Sequence, residues 1–138
     1  MPVIPARLTG IDHVVLRVSD PEKTVAFYTE VLGLTLERIY DRISLRQLRC
    51  GNNLIDIVPA EGELPAAEQR GIDHLCLNLD GDLDEVIAAL AEVGIEPSMG
   101  PMEVYGARGF GSSIYIRDPD GYEIELKAGY ARQPIRSS

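Results

Sequence analysis

The sequence predicts an α+β fold built from two copies of a βαβββ module. Two observations carry that prediction. The first is an internal repeat. Gly10-Ile11-Asp12-His13 recurs letter for letter as Gly71-Ile72-Asp73-His74, Gly33-Leu34 is answered by Gly94-Ile95, and Leu54-Ile55-Asp56-Ile57 by Glu123-Ile124-Glu125-Leu126. Such self-similarity marks duplicated structural units. The second is the hydrophobic period, which in each copy runs from strand-like alternation to helical spacing and back to alternation.

In the first copy, Asp12 to Val18 is a β-branched run that reads as a strand. Ser19-Asp20-Pro21 then offers an N-cap and a proline at the first helical position. Val25, Phe27, Tyr28, Val31 and Leu32 form the helical stripe, which Gly33 ends. Strands are expected over 34–40, 44–50 and 53–58, with Gly51-Asn52 turning between the last two. In the second copy a strand is expected over 72–79 and a helix over 82–93, striped by Leu83, Val86, Ile87 and Leu90. Strands are expected over 95–102, 112–117 and 122–127, the last two joined by the turn Asp118-Pro119-Asp120-Gly121. The extra residues of this copy fall in a Gly-rich loop around 100–111, which reads equally as a connection or as a lid carrying Tyr105 and Arg108. The chain is thus expected to be one domain, with module one at about 8–59, a linker at 60–70, module two at about 71–128 and a loose tail at 129–138.

Composition narrows the function. Thirteen Lys and Arg against 22 Asp and Glu give a formal charge of −9. That balance argues against a nucleic-acid partner, because phosphate contacts need basic residues. No apolar stretch approaches the ~18 residues of a membrane span, and the start lacks the basic-then-apolar plan of a signal peptide. Cys50 and Cys76 form neither a disulfide framework nor a CxxC zinc motif. The reducing cytoplasm is the expected location.

Strand alternation sorts the polar residues. Val14, Leu16 and Val18 suit a helix-packed core, which turns His13, Val15 and Arg17 to the other face. In the second copy Leu75, Leu77 and Leu79 take the core role, opposite His74, Cys76 and Asn78. Ile55 and Ile57 leave Asp56 facing away from the core, as Ile124 and Leu126 leave Glu123 and Glu125. The chain has only 2 histidines, and both fall at repeat-equivalent positions. If the two sheets curl toward each other, His13, His74, Asp56 and Glu125 converge. Imidazoles and carboxylates suit zinc, iron(II), manganese, nickel or cobalt, and such a set leaves positions open for Lewis-acid catalysis. Arg46 and Tyr115 occupy repeat-equivalent strand positions and are expected to line the same cup. Cys76 reads as a small packing residue, and Asp12 and Asp73 as residues that fix strand starts by local hydrogen bonds.

These residues resemble those of the vicinal oxygen chelate superfamily, which includes glyoxalase I, extradiol dioxygenases, fosfomycin-resistance proteins and methylmalonyl-CoA epimerase. The resemblance is carried by Ile11 to Val18, Phe27-Tyr28, Val31 to Leu34, Gly71 to Leu75 and Tyr115 to Leu126, and spans about residues 8–128. It implies paired βαβββ modules forming a cupped, mostly antiparallel sheet around one divalent metal ion. The family's ligands map onto His13, His74 and Glu125, with Asp56 as fourth ligand or as catalytic base beside Glu125. Arg17 matches a glutathione-binding arginine, and Arg46, Tyr105 and Tyr115 join it as candidate substrate-binding residues. The leading expectation is a metal-dependent lyase or isomerase of glyoxalase type. It would act on a small substrate, a thiol adduct included, chelated through vicinal oxygens. A homodimer is implied, with no membrane partner. Asp56 stands where glyoxalase I has a glutamate, and Ala60 where it has an asparagine. An extradiol-type dioxygenase is the alternative, but such enzymes use a further histidine that this chain lacks. Val15 replaces the threonine of fosfomycin-resistance proteins. A non-catalytic antibiotic binder is the remaining alternative, set against by the retained ligand residues.

Overall fold

The computed structural model describes residues 1–129, so all of the expected tail beyond Gly129 lies outside the described residues. The chain divides into two compact units, Met1–Leu64 and Pro65–Ser138, and the boundary falls inside the segment read as a linker. Each unit holds a four-stranded mixed sheet whose first strand is inserted beside its last.

In the first unit β1 (His13–Val18) is followed by α1 (Pro21–Ala26), β2 (Thr35–Tyr40), β3 (Leu45–Cys50) and β4 (Asn53–Pro59), with sheet order β1-β4-β3-β2. β1 lies parallel to β4, and the other two pairings are antiparallel. A parallel pair needs a crossover, and α1 supplies it. The Asp20 carboxylate accepts from the Lys23 amide at 3.3 Å and Pro21 opens the helix, as the sequence suggests. The helix does not run unbroken to Gly33. Residues Phe27–Val31 form a π-helical turn, in which the Leu32 amide reaches the Phe27 carbonyl at 3.2 Å. The Thr29 hydroxyl donates to the Val25 carbonyl at 2.8 Å, occupying an acceptor the regular helix would use. Tyr28, Leu16, Val18, Leu48, Ile55 and Ile57 are buried as the core of this unit.

In the second unit β5 (Leu75–Leu79) is followed by α2 (Leu83–Glu92), β6 (Met99–Gly106), β7 (Gly109–Arg117) and β8 (Glu123–Ala128), in the equivalent order β5-β8-β7-β6. Asp82 caps α2, accepting from the Asp84 and Glu85 amides at 2.8 and 3.2 Å. Ile114, Ile116, Ile124, Leu126 and Ala128 are buried together with Leu90 of α2. The Gly-rich stretch is not a loop or lid. It is the β6–β7 hairpin, with Tyr105 paired to Phe110 and Gly106 to Gly109. Glycines that punctuate a sequence as loop signals here let backbones approach closely. A Cβ on Gly111 would lie 2.4 Å from the Gly129 carbonyl oxygen.

Strand register fixes which side chains meet. Val15 stands across from Asp56 in one direction and Gln47 stands across from it in the other. In the second sheet Cys76 and Tyr115 flank Glu125 in the same way. Each acidic residue is therefore central in its sheet, on the face opposite the buried aliphatic residues. Among the described residues, no helix is long and apolar enough to cross a membrane.

Candidate metal centre

In the first unit His13 and Asp56 share one face of the sheet. His13 opens β1, two residues before Val15, and so shares the face of Asp56. Its Nδ1 lies 2.7 Å from the Asp12 carboxylate. That hydrogen bond, against a smaller opposing effect of burial and with added attraction from the charges of Asp56 and Asp12, raises the imidazole pKa above its ordinary value. Asp56 is only 4% exposed. The Gln47 amide Nε2 sits 3.2 Å from each of its oxygens. Arg17 lies on this face too, two residues beyond Val15.

Arg46 does not. It stands across from Ile57, on the core side of the sheet, where its guanidinium bonds Glu22 of α1 at 2.9 Å and the Ser44 carbonyl at 3.0 Å. The expectation that Arg46 lines the site is corrected by this register. Counting from the repeat aligns Arg46 with Tyr115, but Gln47 is the residue that stands across from Asp56 as Tyr115 stands across from Glu125. Arg46→Ala is accordingly expected to leave metal binding and turnover within about twofold of wild type, its cost limited to the ~0–1 kcal/mol of a surface ion pair, as steady-state kinetics and thermal unfolding would show.

In the second unit His74 and Glu125 lie together. His74 lies just before β5, with Nδ1 2.6 Å from the Asp73 carboxylate and Nε2 3.0 Å from Glu125 Oε1. Glu125 is 2% exposed. Its Oε2 accepts from the Ser113 hydroxyl at 2.6 Å, and the Tyr115 hydroxyl and Cys76 thiol also bond to it. Burial alone would raise the Glu125 pKa, but these donors and the His74 charge outweigh it and hold the carboxyl below its usual value. The neighbours show the reciprocal effect. Burial, reinforced by the hydrogen bond to Glu125, pushes the Tyr115 hydroxyl up to about 12. Cys76 is exposed at the surface of its strand, and partial desolvation with the same carboxylate pushes its thiol up to about 11, which favours the protonated form. The Tyr115 ring meets His74 edge-on, with centroids 5.5 Å apart.

Tyr105, expected at the site with Tyr115, lies on the other face. Met102 pairs with Ser113 and Val104 with Gly111 on the Glu125 side, which turns Tyr105 away to stack on Phe110 at 5.0 Å. The nearby Asp73, His74 and Glu123 also place donor atoms within 4.8 Å of one another, at the rim of a cavity of about 360 Å³ that Arg117 and Tyr122 help to line. Glu123 is already engaged by Arg117 at 3.4 Å, and Asp73 by the histidine itself. Glu125 is held more tightly, by the Ser113 hydroxyl at 2.6 Å, with His74 Nε2 at 3.0 Å from its other oxygen.

The donor set fits a cation. A neutral His74 whose Nδ1–H is taken by Asp73 presents a bare Nε2 lone pair to Glu125 Oε1 at 3.0 Å. Two acceptors at that distance need a proton or a metal ion to reconcile them. The raised pKa of His74, set first by its bond to Asp73, against burial and with the Glu125 charge helping, is the proton's answer. An imidazole nitrogen and a carboxylate oxygen are both suitable ligands for a divalent ion, so His74 and Glu125 are the residues of this unit that would hold one. Reading the sequence alone missed Ser113 and Gln47. Ser113 had a legible signal, since it lies two residues before Tyr115 on the same strand and therefore on the same face. Gln47 had none, because the alternation of β3 is ambiguous until its register with β4 is known.

A family model described as the Glyoxalase/Bleomycin resistance protein/Dioxygenase superfamily matches residues 10–126. The chain is similar to the virulence protein STM3117 of Salmonella typhimurium, 37% identical over 119 residues that cover 84% of this chain and 81% of that protein. The crystal structure of that virulence protein matches with a TM-score of 0.73 and 34% identity, covering 91% of this chain and all 100% of the other. A probable lactoylglutathione lyase of Vibrio cholerae is 30% identical over 125 residues, 83% of this chain and 86% of that one.

Proposed function

The chain belongs to the Glyoxalase/Bleomycin resistance protein/Dioxygenase superfamily, and from that premise we propose that it is a divalent-metal-dependent enzyme of glyoxalase type. The proposed reaction moves a proton between adjacent carbons of a small substrate that carries two neighbouring oxygens, a thiol adduct such as a hemithioacetal. His13, His74 and Glu125 are the proposed ligands, with Asp56 completing the set. The observation that carries the reading is His74 Nε2 facing Glu125 Oε1 at 3.0 Å, with Nδ1 2.6 Å from the Asp73 carboxylate. When bound, the ion would supply Lewis acidity, drawing charge onto the substrate oxygens and acidifying the neighbouring C–H.

The two carboxylates differ in what they can do. Glu125 is held at Oε2 by the Ser113 hydroxyl, with Tyr115 and Cys76 beside it, which fixes the carboxylate with Oε1 facing His74 and suits a ligand and not a proton carrier. Asp56 accepts only from the neutral Gln47 amide among the described residues, and remains able to take a proton from one substrate carbon and return it to the next. Arg17, on the same face as His13, is the proposed contact for an anionic group of the substrate. The lactoylglutathione lyase relative supports this chemistry, and the absence of any histidine besides the two proposed ligands sets it above ring cleavage by oxygen.

Metal analysis of the purified protein tests the site. Wild type is expected to carry close to one equivalent of a divalent ion and His13→Ala far less; equally poor binding by both proteins sinks the proposal. A hemithioacetal isomerisation assay run beside oxygen uptake on catechols then tests the reaction, and oxygen consumption without isomerisation would replace it.

A further inference from the structure

All four proposed ligands have a dedicated partner, and none of those partners was assigned a role at the metal by sequence. The Asp12 carboxylate takes His13 Nδ1 at 2.7 Å and the Asp73 carboxylate takes His74 Nδ1 at 2.6 Å. Ser113 donates to Glu125 Oε2 at 2.6 Å, leaving Oε1 turned toward His74. Gln47 holds both oxygens of Asp56 at 3.2 Å. Asp12 and Asp73 were expected to fix strand starts by local hydrogen bonds. Those local bonds go to the adjacent imidazoles, and the aspartate side chains are 91% and 92% exposed, so neither serves a core. The same dyad forms independently in each of the two units.

We infer that Asp12 and Asp73 are positioning residues that lock both histidines in the Nδ1–H form, so that each meets the metal ion through Nε2. The inference rests on the metal-site reading above and deepens it to the level of the ligating atom. The physical basis is general. A carboxylate that accepts from one ring nitrogen selects the tautomer, orients the ring and makes the other nitrogen a stronger donor to a metal. Free imidazole side chains favour the opposite, Nε2–H form, which cannot ligate through Nε2 until the proton moves. A strand-start position leaves the ring mobile unless something outside the core holds it. An aspartate one residue earlier does so without occupying space on the site face.

The test uses the full chain, with cobalt(II) as the metal probe. In the metal-free wild type, at a pH high enough that the histidine signals no longer move with pH, nitrogen-15 NMR of the side chains is expected to show the Nδ1–H tautomer for both rings. Asp12→Ala and Asp73→Ala are each expected to return the neighbouring ring to the Nε2–H form and to weaken cobalt(II) binding about 10–100-fold. Asp12→Asn and Asp73→Asn keep an acceptor oxygen and are expected to recover most of that loss. A purely structural role for the aspartates would not move the tautomer of one ring and spare the other. An Nε2–H signal in wild type, or unchanged cobalt(II) affinity in both alanine variants while His13→Ala fails to bind, overturns the inference and leaves the metal site standing. Equally poor cobalt(II) binding by wild type and His13→Ala brings down the metal site itself and the inference with it.

Discussion

His74→Ala is expected to lose metal binding and at least about a thousandfold in turnover. That factor corresponds to the several kcal/mol a Lewis-acidic ion contributes to charge stabilisation. The substitution removes the one side chain that touches Asp73, Glu125 and Tyr115 together. It leaves the fold largely intact, because His74 precedes β5 and is a third exposed at its side chain. Thermal unfolding of the metal-free variant should therefore track metal-free wild type, while the metal-dependent gain in stability disappears. A variant that still took up one equivalent of cobalt(II) with wild-type affinity would show that His74 is not a ligand. The pH dependence of the wild type gives an independent reading. Asp12 raises His13 and Asp73 raises His74 above the ordinary imidazole pKa, with burial opposing and the Asp56 and Glu125 charges assisting. Protons compete with the metal for each Nε2, so metal affinity is highest above those raised values and falls as pH drops through them. Cobalt(II) titrations at about pH 6 and pH 8 are expected to differ by tenfold or more, the weaker binding at the lower pH. A flat profile across that range would mean that the histidines do not ligate.

Much of this arrangement was legible in the letters. The repeat of Gly-Ile-Asp-His placed both histidines at equivalent strand starts, and strand alternation turned Asp56 and Glu125 away from the aliphatic core. Those readings need only local geometry, and local geometry is what side-chain period encodes. Registers between strands are not local. Arg46 and Gln47 differ by one position, which in a sheet is the difference between the helix face and the site face. No feature of β3 alone decides between them. The β6–β7 hairpin failed for a different reason. Its glycines read as loop signals, while in the fold they mark where β6 shifts register against β7 and where two backbones come too close for a side chain. Tyr105 was read as a residue of that loop by the same misreading, and it is a strand residue of β6. The hydrogen-bond partners of the ligands were partly visible, since Asp12 and Asp73 repeat with their histidines, but an adjacent carboxylate bonds backbone as readily as imidazole until the strand start is built.

Gly100→Ala is expected to destabilise the second unit by about 2–4 kcal/mol, among the larger effects of a single substitution. Gly100 lies in β6 within the stretch where the register between Met99 and Met102 shifts, and its φ is +93°. A side chain there faces two penalties. The left-handed backbone conformation disfavours any Cβ by roughly 1–2 kcal/mol. In addition, the Cβ would sit 2.4 Å from the Ser113 carbonyl oxygen and 3.0 Å from Ile114 Cα. Both obstacles are backbone atoms of the neighbouring strand, so neither can swing aside; β6 must move off β7 or the hairpin must refold. The displaced residue is Ser113, whose hydroxyl holds Glu125, so the damage extends beyond stability to the proposed site. Loss of metal affinity should accompany the lowered unfolding temperature, even though Gly100 touches none of the proposed ligands. Gly94→Ala separates the two penalties. Its φ of +80° carries a similar conformational strain, but no atom lies within 4 Å of an added Cβ. It is expected to cost only about 1–2 kcal/mol and to leave metal binding unchanged. Equal losses for the two variants in thermal unfolding would show that the close approach of β6 to Ser113 contributes nothing, and that the hairpin does not brace the Glu125 face.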